Sequence, residues 1–304
     1  MTTPVVIECG SNSLKAHYRT ETSGIFQKVT FPWQLGREVY RTGRLSTETL
    51  TGARDAVRSL IDRGFERRAL VAIATGALRD AENPGEFTTQ LREEMGLEVR
   101  VISGREEASL LAHGYLKVRQ DLPALLADIG GGSLELVQLT AERTVLRDSL
   151  PLGAIRVQYL GESEGQAWNR ELVDSWIANS FEEASLVKAR EVNGTGGTVK
   201  ALSRVLGKQN MEVDEISRLI ARMETEGPPA DLSPERREVF LAGVLVLRKL
   251  LDHCGAAVLR YTKISIGRIF LDRLIQHLGA STSGKKRDAL LMDMRITNII
   301  YPQQ

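Results

Sequence analysis

Histidine and cysteine are scarce in this chain of 304 residues, with four of the first and two of the second. Cys9 and Cys254 are too few for a disulfide framework, and neither sits in a CxxC pair or beside a histidine at metal spacing. Both read as small buried hydrophobes. His17, His113, His253 and His277 fall at no ligand spacing, which argues against a zinc site and leaves oxygen ligands for any metal. Long apolar runs are also missing, so no segment is expected to span a bilayer and no membrane partner is expected. The opening MTTPVVIECGSNS enters a strand pattern almost at once, without the charged and apolar regions of a signal peptide, and the expected location is cytoplasmic. Net charge is only +1, whereas binding to nucleic acid usually calls for a clearly basic face, so none is expected as a partner. Two local basic patches stand out, Arg37, Arg41 and Arg44 in LGREVYRTGRL and Lys285, Lys286 and Arg287 near the end. Each has a plain reading as solvated surface.

What the chain does have is a motif in duplicate. Glu8-Cys9-Gly10-Ser11-Asn12-Ser13-Leu14 and Asp128-Ile129-Gly130-Gly131-Gly132-Ser133-Leu134 share an acid, a glycine two residues on, a serine five on and a leucine six on. Each follows a short apolar run and leads into an alternating segment, which predicts strand, tight turn, strand. Turn glycines let backbone N–H groups approach phosphate oxygens, serines add hydroxyl donors, and an acid can hold a hydrated divalent cation. Two such hairpins suit a phosphorylated ligand.

The apolar fraction of 42% and charged fraction of 26% are those of a globular protein, and the length suffices for two domains. After the first hairpin a third strand is expected over 24–31. A helix capped by Ser46 follows, with Leu50, Ala53, Val57, Leu60 and Ile61 as its buried stripe. Strands at 69–74 and 98–102 alternate with helices at 85–95 and 105–118. The second half repeats the order: strands at 124–128, 134–139 and 143–151, then helices at 170–187, 198–206, 214–223, 234–253 and 268–278 with a strand at 258–264. The fold class expected is α/β, a βββαβαβα unit present twice, as in the ribonuclease H-like domains of the actin, sugar-kinase and Hsp70-like ATPases, with a cleft between the domains. The domains are expected at 1–120 and 121–280, with a tail at 281–304 packing back on the first.

At this level the chain resembles one branch of that superfamily, the exopolyphosphatase and guanosine pentaphosphate phosphohydrolase family in its short two-domain form. Eight blocks match in order: GSNS, LGREVYRTGRLSTE, ATGALRDAENPGEF, VISGREEA, DIGGGSLEL, LPLGAIRV, GTGGTVKAL and LSPERREVFLAG. The resemblance implies hydrolysis of a terminal phosphoanhydride of polyphosphate or guanosine pentaphosphate by water, with magnesium or another divalent cation. It implies Glu107 as catalytic base and Glu135 as a second carboxylate that positions water or metal. Glu8 and Asp128 match the metal-side acids, and Arg79 a phosphate-contacting arginine. Ser11, Asn12, Ser13, Gly131, Gly132 and Ser133 match the two hairpins, and Gly196, Gly197 and Thr198 of GTGGT are further phosphate-binding candidates. A homodimer is compatible with the short form.

Such chemistry is mostly positioning plus charge stabilisation, so donors, a cation and an oriented water are what the residues must supply. Each residue also has a structural alternative. Glu106 and Glu107 suit a helix N-terminus in any case, Glu135 suits an outward strand position, Arg79 and Asp80 suit a surface ion pair, and GTGGT suits a strand-to-helix turn. Three departures from the family pattern lie near the expected ligand: Glu8 in place of Asp, Leu134 in place of Thr, and a C-terminal turn reduced to Ile266-Gly267-Arg268-Ile269. They support a second reading, a weak or inactive sensor that binds a polyanion or alarmone nucleotide. A kinase or ATPase on the same fold is a third.

Overall fold

The computed structural model describes residues 4–20, 22–141, 144–162, 168–184 and 188–280. These residues divide into two compact units, 4–110 with 265–280 and 111–264. The division departs from the expected single boundary near 120.

The first unit is built on strands β1 (Val5–Cys9), β2 (Ser13–Arg19), β3 (Phe26–Pro32), β4 (Leu70–Ala74) and β5 (Val99–Val101). The sheet order is β3-β2-β1-β4-β5. β1, β2 and β3 form an antiparallel meander, and β4 and β5 lie parallel to β1. Val5, Val6 and Ile7 are all buried, as a central strand covered on both faces requires. The helices are α1 (Leu35–Thr42), α2 (Thr47–Asp62), α3 (Ala77–Asp80), α4 (Pro84–Met95) and α5 (Gly104–Val118), within which the division falls. Ser46 caps α2 as expected, its hydroxyl accepting from the Thr49 N–H at 3.3 Å. Ala53, Ala56, Val57 and Leu60 form its buried stripe.

The second unit repeats the plan with β6 (Ala124–Ile129), β7 (Leu134–Leu139), β8 (Thr144–Leu150), β9 (Glu191–Thr195), β10 (Asn210–Glu212) and β11 (Val258–Tyr261), in the order β10-β11-β9-β6-β7-β8. Again three antiparallel strands are followed by two parallel ones, β9 and β11, with β10 added antiparallel at the edge. Its helices are α6 (Ala154–Gly161), α7 (Arg170–Glu182), α8 (Gly196–Leu206), α9 (Val213–Glu226) and α10 (Pro234–Cys254). α10 carries an almost continuous buried run from Val239 to Leu251 through the core of this unit.

The final helix, α11 (Ile266–Ala280), packs against β1 and β2 and so belongs with the first unit. Arg19 on β2 donates to Asp272 at 2.7 Å, and the Gly267 N–H donates to Glu8 at 3.2 Å. This corrects the expected assignment of residues to 280 to the second domain. The tail at 281–304 and its basic patch lie outside the described residues. The helices α1, α3 and α6 and the strand β10 were not expected from the sequence. No described helix is long and apolar enough to cross a membrane. Cys9 and Cys254 are buried free thiols, with burial pushing Cys9 up to about 12, aided by Glu8, and Cys254 up to about 11.

Candidate active site

The two predicted hairpins are present and close in the same way. The Gly10 N–H donates to the Ser13 carbonyl at 3.2 Å, and the Gly130 N–H donates to the Ser133 carbonyl at 3.0 Å. Their surroundings differ.

In the first hairpin the Ser11 hydroxyl is buried and accepts from the Ala77 N–H at 3.0 Å, so it anchors the start of α3. Asn12 and Ser13 are half-buried at the turn and the head of β2. Glu8 faces Lys15 directly across the ladder. Lys15 Nζ donates to Oε1 at 2.7 Å, while Oε2 meets His17 Nε2 at 3.0 Å and the Gly267 N–H at 3.2 Å. Burial alone would raise the Glu8 pKa, but Lys15 and then His17 outweigh it and hold the carboxyl well below its ordinary range. The reduced C-terminal turn keeps its glycine for a steric reason. A Cβ on Gly267 would lie 2.4 Å from the His17 ring and 2.6 Å from Glu8 Oε2. Both Glu8 oxygens are therefore engaged by protein donors at the position where the sequence leads one to expect a metal-side acid.

In the second hairpin the equivalent positions are Asp128 and Glu135, also directly opposed. Where the first copy sets a cation against its acid, the second sets two carboxylates side by side on one face of the sheet. Ser149 donates to Glu135 Oε1 at 2.8 Å, and Glu135 is only 1% exposed. A Cβ on Gly196 would lie 2.7 Å from Asp128 Oδ1, so this acid sits against the GTGGT turn. Magnesium usually binds through one or two carboxylates plus substrate phosphates, so the donor set of the second hairpin fits such an ion and that of the first does not. Among the described residues no cluster of three or more His, Cys, Asp or Glu is assembled to hold a metal unaided.

The GGG turn is held from behind by α6. The Ala154 N–H donates to the Gly130 carbonyl at 3.0 Å, the Ile155 and Arg156 N–H groups donate to the Gly131 carbonyl at 2.9 and 3.1 Å, and Arg156 Nε donates to the Gly132 carbonyl at 2.8 Å. The otherwise unpaired first N–H groups of a helix are thus satisfied by the loop carbonyls. Among the described residues the N–H groups of Gly131 and Gly132 enter no turn or cap bond, which leaves them as donors for an anion. Gly153 permits the contact, because a Cβ there would fall 2.3 Å from the Gly131 and Gly132 backbone. This helix within LPLGAIRV is absent from the elements expected from the sequence, although the apolar spacing of Ile155, Tyr159 and Leu160 is a signal for it.

Glu106 and Glu107 take separate roles at the head of α5. Glu106 accepts from the Ser103 N–H at 2.7 Å while the Ser103 hydroxyl accepts from the Glu106 N–H at 3.2 Å, a reciprocal capping box, and Arg100 pairs with Glu106 at 2.6 Å. Glu107 is buried and lies 3.3 Å from Arg79 Nη1, which also donates to the Ile102 carbonyl at 3.1 Å. Arg79, half-buried on α3, and Glu107 are thus brought together. Leu134 is fully buried in the core of the second unit, so its missing hydroxyl is replaced by packing. Of the first basic patch, Arg44 pairs with the exposed Glu82 and Glu86, both at 3.4 Å, as on an ordinary solvated surface.

A sheet of order 3-2-1-4-5 with a glycine turn at its first hairpin, present twice, defines the actin-like ATPase class of α/β proteins. Within that class, the chain belongs to the Ppx/GppA phosphatase family, which it matches over residues 21–265. Similar solved structures include an exopolyphosphatase-like protein at 21% identity, covering 91% of this chain and 99% of that one with a TM-score of 0.76. An exopolyphosphatase from Cytophaga hutchinsonii has 17% identity, coverage of 90% and 98%, and a TM-score of 0.74. The Ppx/GppA family member of Aquifex aeolicus has 22% identity, coverage of 91% and 98%, and a TM-score of 0.67. At these identities the neighbours establish the fold, and the family establishes a phosphatase-type enzyme.

Proposed function

We propose that this protein hydrolyses the terminal phosphoanhydride of inorganic polyphosphate or of guanosine pentaphosphate. The observation that carries the reading is the division of labour at the head of α5, where Glu106 is consumed by the capping box and Glu107 is left beside Arg79. In this reading the oxygen of a water attacks the terminal phosphorus, the bond from that phosphorus to the bridging oxygen breaks, and Glu107 accepts the water's proton. The shortened chain leaves with the bridging oxygen. Arg79, paired with Glu107 at 3.3 Å, binds phosphate oxygens with two parallel donors. In the second unit the turn N–H groups of Gly131 and Gly132 are donors suited to phosphate oxygens.

A magnesium ion held by Asp128, with Glu135 beside it, would neutralise phosphate charge in that unit. Glu8 has a different task, as internal partner of Lys15 and His17. The sensor reading draws on the same departure at Glu8, but Leu134 no longer favours it, since that side chain belongs to the core.

The test is phosphate release from long-chain polyphosphate and from guanosine pentaphosphate, side by side, with magnesium and with chelator, for the parent and Glu107→Gln. Metal-dependent release that the variant loses is the expected result. A variant as fast as the parent would remove Glu107 as the base, and no release from either substrate by the parent would favour the sensor.

A further inference from the structure

Arg236 stands outside every set of site residues expected from the sequence. It lies in the first turn of α10, and its guanidinium rests on the GTGGT turn at the start of α8. A Cβ on Gly197 would be 2.5 Å from Arg236 Nη2 and 3.2 Å from its Cζ, and Nη1 donates to the buried Thr198 hydroxyl at 3.5 Å. Seven residues along α10, on the same helical face, Gly243 makes the approach possible. A Cβ there would be 2.8 Å from Thr198 Cγ2 and 2.9 Å from the Ala154 Cβ. The block LSPERREVFLAG thus brings α10 down onto the starts of α8 and α6 and delivers one guanidinium to the glycine turn.

That position is electrostatically costly for a cation. Burial withdraws Arg236 from water and lowers its pKa. The first turn of α10 and the start of α8 are both positive ends of helix dipoles. Other arginines in the fold have carboxylate partners, such as Arg79 with Glu107, Arg100 with Glu106 and Arg260 with Glu191. Among the described residues Arg236 has none. A desolvated cation without a counter-ion is unfavourable unless an anion arrives. The half-exposed Gly196 and the exposed Gly197 leave room for one at this turn.

We propose that Arg236 is a phosphate-contacting residue of the substrate site, binding oxygens of a phosphate seated on the Gly196–Thr198 turn together with the Thr198 hydroxyl. The inference rests on the phosphoanhydride reading above and adds the residue that meets the anion at this second glycine turn. Arginine suits the place better than lysine, because its planar fork meets two phosphate oxygens at once.

The experiment measures pyrophosphate binding by calorimetry, with chelator present so that no cation contributes, for the parent, Arg236→Gln, Arg236→Lys and the exposed neighbour control Arg237→Gln. The steady-state KM for polyphosphate with magnesium is measured on the same four proteins. Arg236→Gln is expected to weaken pyrophosphate binding by about 10-fold or more, as loss of a charge-assisted hydrogen bond implies. Arg236→Lys is expected to fall between, Arg237→Gln to match the parent, and KM to rise in the same order. Pyrophosphate binding by Arg236→Gln equal to that by Arg237→Gln, or no binding by the parent, overturns the proposal. Arg236-dependent pyrophosphate binding in a parent that releases no phosphate from either substrate would leave Arg236 as an anion contact and refute the hydrolase reading. Release by the parent with an unchanged KM in Arg236→Gln would do the reverse.

Discussion

Two adjacent glutamates on α5 show how identical side chains acquire different work. Glu106 closes the capping box with Ser103, and Glu107 turns to Arg79. Glu106→Ala should cost about 1 kcal/mol of stability and leave turnover within a few-fold, whereas Glu107→Gln should lower kcat by about 10²- to 10⁴-fold with an unchanged melting temperature. Thermal melts and initial rates on the two variants check both halves of this expectation. Glu8 gives the pH-dependent case. Its folded pKa is depressed, so its contribution to stability is complete above the unfolded value of about 4.3 and is lost as pH falls through and below it. Glu8→Gln should cost about 2 kcal/mol at pH 7 through its lost charge-assisted bonds, and in urea melts the gap between parent and variant should begin to narrow at about pH 5 and go on narrowing below about pH 3, toward the depressed folded value. A constant gap across that range would show that packing and not charge holds this cluster. The motif spacing made both acids visible in the sequence. That position seven residues on is Lys15 in one copy and Glu135 in the other was also visible, but its meaning required the strand register that sets each opposite its acid.

At the scale of elements, the glycine turn of the second hairpin depends on a helix that contributes no side chain to the expected chemistry. α6 binds the carbonyls of Gly130, Gly131 and Gly132 through its first N–H groups and Arg156, which orients the loop before any ligand arrives. Gly153→Ala forces a methyl group into the Gly131 and Gly132 backbone, and backbone cannot yield as a flexible side chain would. The variant should lose about 1–3 kcal/mol in denaturant melts and bind pyrophosphate more weakly than the parent. Full stability with intact binding would mean that the clamp is dispensable. Strong periodicity revealed the long elements α2, α4, α5, α8, α9 and α10, with ends within a few residues. The short helices α1, α3 and α6 were hidden because each is stabilised by what it touches. Arg236 was missed for the same reason: PERR reads as a charged helix start until Gly243 shows how closely α10 approaches α8.

At the scale of the molecule, the first unit is discontinuous in sequence. Duplication was legible from the two hairpins, and the repeated sheet order confirms it. The return of the chain was not, because the apolar stripe of α11 does not say which sheet it will cover. Its destination is written in pairwise contacts: Gly267 against Glu8 and His17, Asp272 with Arg19, and Arg268 over the Phe26 ring at 4.9 Å. Phe270, Leu271 and Leu274 are buried as part of the same packing. Ending the chain at Ile264 would therefore strip a buried helix from β1 and β2 and leave the second unit's chain complete. Burial of three such side chains is worth several kcal/mol, by the usual 1.5–3 kcal/mol for each, which is a large share of a domain's stability. Limited proteolysis of the shortened protein should cut rapidly within residues 4–110 while a fragment covering 111–264 persists, and the full chain should resist at the same protease concentration. Equal resistance of both regions in the shortened protein would show that α11 is an accessory to the first unit and not part of its core.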